Sequence, residues 1–343
     1  MTTVDIRRVD PADEATVEAV FDVKNACWAH DLPDNVPPTL DEERLALTAL
    51  WPGQLREDYV AVAGGRVVAH LCVELSTLEN LHNAWAEISV HPDFRRRGIG
   101  RTLWAHANIR AADQGRTNMG ATACKSVEGG IPRGHHGIEF LGAMGLEPKL
   151  AEERRRIEFG GVDWDAMDAL LAESWKHAEG YRVRTWTDNA PDDLVEGLAY
   201  LDGRLILDAP MGDLDFEAPK VDAERFRASE ATADARGRIR LHVAMQHEET
   251  GKVAAWTMIV FGPAHVHKGF QGITIVDPEH RGRRLGTVAK LELHRFVRAE
   301  APALVAVDTW NAASNAYMIK INEQIGYRVV DSWVDYQGEV ATP

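Results

Sequence analysis

Apolar positions along this chain fall into short alternating or continuous runs separated by amphipathic stretches, which predicts strands and helices in alternation. Residues 4–9 and 181–186 read as short strands, each followed by a helix start, near Pro11 to Asp13 and Pro191 to Asp193. Residues 59–63 and 67–73 flank Gly64 and Gly65, and residues 239–245 and 253–261 flank a turn ending in Gly251, so each half predicts a hairpin. A strand, a glycine-containing turn and an amphipathic helix come next. Ile99, Leu103, Ala107 and Ala111 mark one helix's apolar face; Leu285, Ala289, Leu293 and Phe296 mark the other's. The second half closes with a buried strand at 304–310 and a helix from about Ser314 to Gly326. In the first half only 137–144 resembles that closing helix, after a glycine-containing stretch at 117–132.

The two halves are copies. SVHPDFRRRGIGRTL from Ser89 and IVDPEHRGRRLGTVA from Ile275 superpose at one offset of 186 residues. Pro92 meets Pro278, Arg95 meets Arg281, Gly100 meets Gly286, and upstream Val67 meets Val253. Gly160 and Gly161 break the pattern after a charged stretch at 147–156. The expected layout is therefore a domain at 1–160, a connecting segment at 161–180 with a helix at 164–175, and a second domain at 181–343. Each is expected to be α/β in class, of the α+β mixed-sheet kind: a mostly antiparallel sheet with flanking helices. The second half adds an Asp-rich insertion at 207–226.

Composition narrows the function. The chain has 343 residues and a formal charge of −15, which argues against a nucleic-acid partner and favours a neutral or cationic one. Cys27, Cys72 and Cys124 lack ligand spacing, so no metal is expected and the thiols suit a reducing cytoplasm. The longest apolar run, 253–261, falls far short of the ~20 residues of a membrane span. The N-terminus has no apolar leader segment, so secretion is not expected.

A strand ending Val-x-Pro, then arginines, then Gly-x-Gly opening a helix makes an anion site. Bare backbone admits a diphosphate, and the first helical N–H groups point at it. Val90-His91-Pro92 followed by Arg95, Arg96, Arg97, Gly98, Ile99 and Gly100 resembles the signature of the GNAT superfamily of N-acetyltransferases. The resemblance covers most of both halves and implies a tandem-repeat protein similar in layout to mycothiol synthase. It implies acetyl-CoA as acyl donor, with Ile88, Ser89 and Val90 along the pantetheine arm and Arg95, Arg96, Arg97, Gly98, Ile99, Gly100 and Arg101 around the pyrophosphate. In the second copy Val276, Arg281, Gly286 and Asn315 are the secondary candidates. Arg284 there replaces the first glycine of the pattern, and a side chain at that point obstructs close phosphate approach. The family's closing Asn and Tyr fall on Asn315 and Asn322 in the second copy and on Gly134 and Leu141 in the first. Neither half keeps the Tyr acid, and the first half is preferred as the coenzyme A site.

Direct N-acylation needs an oxyanion donor, for which the resemblance implies the Val90 N–H, and a general base, for which Glu87 is nominated. By strand alternation Glu87 points away from Ile88 and Val90. His135, His136 and Tyr317 are candidate acids. Asp31, Asp34, Glu42 and Glu43, with Trp28 and Trp51, and Asp208, Asp213, Asp215 and Glu217 in the insertion, are candidate contacts for a cationic amine. Arg154, Arg155 and Arg156 read as a charge-balanced helix face. The expected activity is acetyl transfer to the primary amine of a small molecule, by a monomer or homodimer. The competing expectations are a non-catalytic acyl-CoA-binding regulator or scaffold and, against the −15 charge, transfer from aminoacyl-tRNA.

Overall fold

A computed structural model describes residues 3–341; positions 1–2 and 342–343 of the expected domain ranges lie outside them. In chain order the elements are β1 (Asp5–Arg8), α1 (Glu14–Asp31), α2 (Leu40–Thr48), β2 (Gln54–Ala63), β3 (Arg66–Ser76), β4 (Asn83–Val90), α3 (Ile99–Asp113), β5 (Asn118–Lys125), α4 (His136–Ala143), β6 (Glu147–Glu158), α5 (Trp164–Trp175), β7 (Tyr181–Thr187), α6 (Val195–Asp208), α7 (Ala223–Ala235), β8 (Ile239–His247), β9 (Val253–Phe261), β10 (Lys268–Val276), α8 (Leu285–Glu300), β11 (Ala306–Ala312), α9 (Ala316–Ile325) and β12 (Arg328–Glu339).

The chain forms two compact units, and they do not follow chain order. The first comprises the residues up to Ala151, Gly212–Glu217, and those from Asp331 on; the second comprises Glu152–Met211 and Ala218–Val330. Thus β12, expected in the second domain, completes the first unit's sheet by pairing antiparallel with β5. Residues 152–158 of β6, expected in the first domain, pair antiparallel with β11 of the second. Each unit's sheet then has the same order: β1-β2-β3-β4-β5-β12 in the first and β7-β8-β9-β10-β11-β6 in the second. Only β4–β5 and β10–β11 are parallel.

In the first unit α3 packs one sheet face through Ile99, Leu103, Ala107 and Ala111, over Leu71, Val73 and Ala86. On the other face α1 and α2 contribute a small apolar cluster of Val17, Val20 and Leu47 against Val60. In the second unit α8 and α5 cover one face, and α6 and α7 the other. The predicted hairpins, the two amphipathic helices and the helix at 164–175 are all present. Helices α2 and α7 lie in stretches where no helix was expected, and β5 lies within the stretch read as glycine-rich.

One reading is corrected. Arg154, Arg155 and Arg156 stand on strand β6 rather than on a helix face. Arg154 is fully buried beside Asp308, which also binds Arg156, while Arg155 pairs with Glu153 and Glu323. Charge balance was the right inference, met by the neighbouring Glu153 and by Asp308 and Glu323, which are distant in sequence. Among the described residues no helix is long and apolar enough to cross a membrane.

Candidate functional site

Strand β4 runs to Val90, but it pairs with β5 only from Asn83 to Trp85, so the two parallel strands part at Ala86. At the end of β4 the chain makes two left-handed residues, Arg96 (φ 62°) and Gly98 (φ 90°), and Gly98 caps α3 without a side-chain bond. The first N–H groups of α3 therefore face outward at the positive end of its dipole. A cleft of about 510 Å³ opens there, lined by Ile88, Ser89 and Val90, by Gly98, Ile99 and Gly100, and by residues of α1 and α4.

Most of the expected pyrophosphate residues line this cleft, but the arginines differ in what they hold. Arg96 and Arg101 are exposed and line it. Arg97 does not: its Nη2 donates to Asp93 O at 2.7 Å and its guanidinium lies over the Phe94 ring. Arg95 lines the cleft but is already engaged. Its Nε donates to Val90 O at 2.9 Å, and Nη1 and Nη2 grip Asp31 at 2.9 and 2.7 Å. Burial alone would raise the Asp31 carboxyl; hydrogen bonds from His136, Arg95 and His30 instead hold it far below the usual carboxylate range. Asp31 is the last residue of α1, where a carboxylate faces the negative end of the helix dipole and needs such cations. The second unit repeats the device. Asp208, the last residue of α6, meets Arg281 at 3.2 Å, and Arg281 Nε donates to Val276 O at 3.3 Å. In both copies this arginine ties strand end, turn and first helix together. Sequence reasoning misses this tie: it sets Asp31 and Asp208 in the segments after each first helix, as contacts for an amine, and not at the helix ends. His136, at the start of α4, lines the cleft with its Nε2 3.5 Å from Asp31, and Cys27 Sγ donates to Val90 O at 3.2 Å. His135 is exposed just before α4 and its side chain makes no cap bond.

The α1 face of the same sheet is charged. Strand register aligns Asp58, Cys72 and Glu87 across β2, β3 and β4, with Val60, His70 and Ser89 in the next row. Arg56 clasps Asp58 at 2.7 and 2.8 Å, Asp58 meets His70 Nε2 at 2.8 Å, and Lys24 of α1 meets Glu43 of α2 at 2.9 and 2.8 Å. Glu87 is an exposed residue, and desolvation nonetheless opposes its charge. Lys24 and Arg56, joined by His70 when that ring is protonated, outweigh that and the repulsion from Asp58, holding its carboxyl below the ordinary value. Burial pushes Glu74 up, and burial pushes the Cys72 thiol strongly up. Glu87 is therefore an ionised carboxylate at neutral pH, with a neutral thiol on one side and cations on the other.

The remaining candidates divide. Glu42 closes a capping box with Thr39, and Asp34 pairs with Arg133, which also donates to Asp331 at 2.8 Å. Trp28 is half-buried and Trp51 exposed. In the insertion, Gly212–Glu217 belongs to the first unit: Asn83 Nδ2 donates to Asp215 O at 2.6 Å, Asn80 Nδ2 to Glu217 O at 2.9 Å, and Phe216 tilts against Trp85. Carboxylates take part as well: Asp215 Oδ2 lies 3.1 Å from His82 Nε2, and Glu217 Oε2 accepts from Asn80 N at 3.5 Å, while Asp213, Asp215 and Glu217 are all exposed residues.

The second unit carries a cleft of about 400 Å³ lined by Val276, Arg281, Gly286, Asn315 and Tyr317 among others. Strand β10 parts from β11 after Phe270, as β4 does from β5. The turn has the same two left-handed positions with the glycine moved: Gly282 (φ 80°) and Arg284 (φ 54°) stand where Arg96 and Gly98 stand in the first. The Arg284 side chain is exposed and lines the cleft. Asn315 Oδ1 caps α9 by accepting from Met318 N at 3.1 Å. Asn322 is fully buried, accepting from Lys290 Nζ at 2.6 Å and donating to Asn311 at 2.6 Å. In the first unit Leu141 is buried core and Gly134 precedes α4.

Residues 56–129 match the acetyltransferase (GNAT) domain family. No curated relative matches the chain. Among solved structures, the chain is similar to a tandem GNAT protein from the clavulanic acid biosynthesis pathway, at 28% identity and TM-score 0.84, over 99% of this chain and 100% of that one. It resembles in fold a GCN5-related N-acetyltransferase from Sphaerobacter thermophilus, at 16% identity and TM-score 0.67, over 100% and 98% of the two chains. A glucosamine N-acetyltransferase region of a fungal multi-domain β-N-acetylglucosaminidase matches at 14% identity and TM-score 0.66, over 98% of this chain and 38% of that one.

Proposed function

We propose that this chain, which matches the GNAT acetyltransferase domain over residues 56–129 and is similar to a tandem GNAT protein over 99% of its length, transfers an acetyl group from acetyl-CoA to the primary amine of a small molecule, in the cytoplasm, using the first unit. The observation that carries this reading is the parting of β4 from β5 beside the Arg96–Gly98 turn, because it joins an extended slot to an anion cradle in one cleft. Those features fit acyl-CoA. Backbone at residues 88–90 would hold the pantetheine arm, and N–H groups at residues 98–101 with the Arg96 and Arg101 side chains would hold the pyrophosphate. The thioester supplies an activated acetyl group.

This chain's own residues then have separate tasks. The Val90 N–H donates where negative charge develops on the carbonyl oxygen, while Arg95 and Cys27 hold the adjoining peptide unit by binding Val90 O. Glu87 attracts the ammonium form of the acceptor and takes its proton. His136 in the cleft supplies a proton to the leaving sulfur, in place of the Tyr that the closing helix lacks. The ionised Glu87 carboxylate, which no hydrogen bond among the described residues engages, favours a cationic acceptor.

Isothermal titration with acetyl-CoA, followed by release of free CoA across a panel of amines, tests the reading. Saturable binding, steady CoA release, and loss of release but not of binding in Glu87→Gln are expected. Absence of binding at ~1 mM acetyl-CoA would reject it. One observation favours a second reading, a binding-only acyl-CoA regulator: Leu141 and Asn322 occupy the acid's positions and are both buried. Binding without turnover for any amine would select it.

A further inference from the structure

His70 is fully buried on β3, and its two ring nitrogens are treated differently. Nε2 lies 2.8 Å from an Asp58 carboxylate that Arg56 holds from the other side. Against an ionised Asp58 that nitrogen carries the proton, leaving Nδ1 a lone pair. Nδ1 is buried and has no hydrogen-bond partner among the described residues. A buried acceptor left without a donor is costly, so it calls for a reason beyond packing.

The strand register supplies one. His70 stands opposite Ser89 and Cys72 opposite Glu87, so His70 and Glu87 are diagonal neighbours on one sheet face, about 7 Å apart and within reach for a side chain as long as Glu. The other charged or titratable groups facing this pair are Arg56 and Asp58 of β2, Cys72 and Glu74 of β3, Lys24 and Cys27 of α1, and Glu43 through Lys24. The cations among them are already paired with Asp58 and Glu43. Glu87 carries no hydrogen bond among the described residues and keeps water access, so it can move.

The duplication provides an internal control. At the 186-residue offset His70, Cys72, Glu87 and Ser89 correspond to Trp256, Met258, Ile273 and Ile275. In the second unit those four pack into an apolar cluster beneath α6 and α7. These four positions carry no charge there, although the same face holds Arg240 of β8, which pairs with Asp234 of α7. In the first unit the charges are retained against the desolvation that burying them entails.

Resting on the acyltransferase reading above, we propose that the Asp58–His70 pair is a proton relay behind Glu87, making the first unit's charged face a site for an amine that arrives as ammonium. The ammonium N–H bond breaks as an O–H bond forms on Glu87. The Glu87 hydroxyl then donates to His70 Nδ1 and passes its proton there, giving an imidazolium held by Asp58 and restoring the Glu87 carboxylate. The amine nitrogen keeps its lone pair for attack. On amide formation the nitrogen sheds a second proton, which replaces the one His136 gives to sulfur; after product leaves, the first returns from His70 through Glu87 to water, so one proton is released per acetyl transferred. His70 touches no substrate and acts through Glu87, as a positioning residue.

The test is the pH profile of kcat/KM for the amine in His70→Gln and Asp58→Asn, with the full chain and acetyl-CoA. Both variants are expected to lose on the order of tenfold at neutral pH. The deficit should shrink as pH rises, because the free-base fraction of the amine grows about tenfold per unit below its pKa. KM for acetyl-CoA should stay within about twofold, since neither residue lines that cleft. A pH-independent deficit, or none, overturns the relay while leaving wild-type turnover, and with it the acyltransferase reading, intact. If neither variant folds, a ¹⁵N-histidine titration of the wild type decides. Nδ1 of His70 should be unprotonated in the free protein and perturbed by added amine; a protonated Nδ1 without amine, or no response to it, refutes the proposal.

Discussion

Lys290 offers the sharpest energetic test because it is fully buried and, among the described residues, no carboxylate faces it. Its Nζ donates to Asn322 Oδ1 at 2.6 Å and lies 4.9 Å from the centre of the Tyr327 ring. Desolvation is the single influence on it and pushes its pKa from 10.5 down to about 7. Between those two values the unfolded chain carries a proton that the folded protein does not, so stability should rise with pH across that window. The slope is ~1.4 kcal/mol per pH unit for one proton, and below the folded pKa it vanishes. At a pH of about 7.5 the cost of holding this lysine neutral is ~4 kcal/mol, falling to ~1.4 at a pH of about 9.5. Lys290→Met removes that cost but leaves Asn322 Oδ1 without its donor, at about 1–3 kcal/mol. The variant should therefore be more stable than wild type by ~1–3 kcal/mol at the lower pH, an advantage that shrinks by ~2.7 kcal/mol at the higher one and can change sign. Urea unfolding at both pH values, read by a probe in the second unit, measures the difference directly. A wild-type-minus-variant difference that stays constant within ~0.5 kcal/mol would mean that Lys290 keeps its proton, and the reasoning fails.

Three further outcomes follow from the same geometry. Arg96→Gly and Arg284→Gly each relieve a left-handed side-chain residue on an exposed turn, so each should raise the unfolding free energy by a net ~0.5–1 kcal/mol after the added chain entropy, seen as a higher denaturant midpoint; an unchanged or lowered midpoint would count against it. Asp31→Asn should cost ~2 kcal/mol, and Asp208→Asn less, since Arg281 is about half exposed where Arg95 is not. The Asp31 contribution, from a carboxyl held low, should be complete above the ordinary carboxylate range and lost on acidification, as acid titration of both proteins will show. Asp308→Ala removes the carboxylate shared by Arg154, Arg156 and Lys268; a loss of ~3–5 kcal/mol in denaturant unfolding is expected, and a near-neutral effect would show that the cluster is compensated elsewhere.

What the sequence alone determined was local or repetitive. Hairpins, the amphipathic helices at 99–113 and 285–300, the connecting helix at 164–175 and the phosphate-type turns were legible because periodicity, Gly-x-Gly and a fixed offset are properties of neighbouring residues. The nomination of Glu87 rested on the same kind of signal, its place in β4. Helices α2 and α7 were hidden by their mixed composition, and β6 by its charges, which a lone segment presents as solvent-seeking.

Tertiary structure decided everything that depends on pairing at a distance. Only pairing brings β12 beside β5, and β6 beside β11. Only side-chain geometry turns Arg95 from a phosphate ligand into a tie between Val90 and Asp31, and sends Arg97 to Asp93. The charged row of Asp58, Cys72 and Glu87 comes from strand register, in which residues far apart in sequence share one face. The physical reason is the same in each case. A strand's pairing energy and a buried charge's solvation depend on what lies opposite, and the chain contains that information only once it is folded.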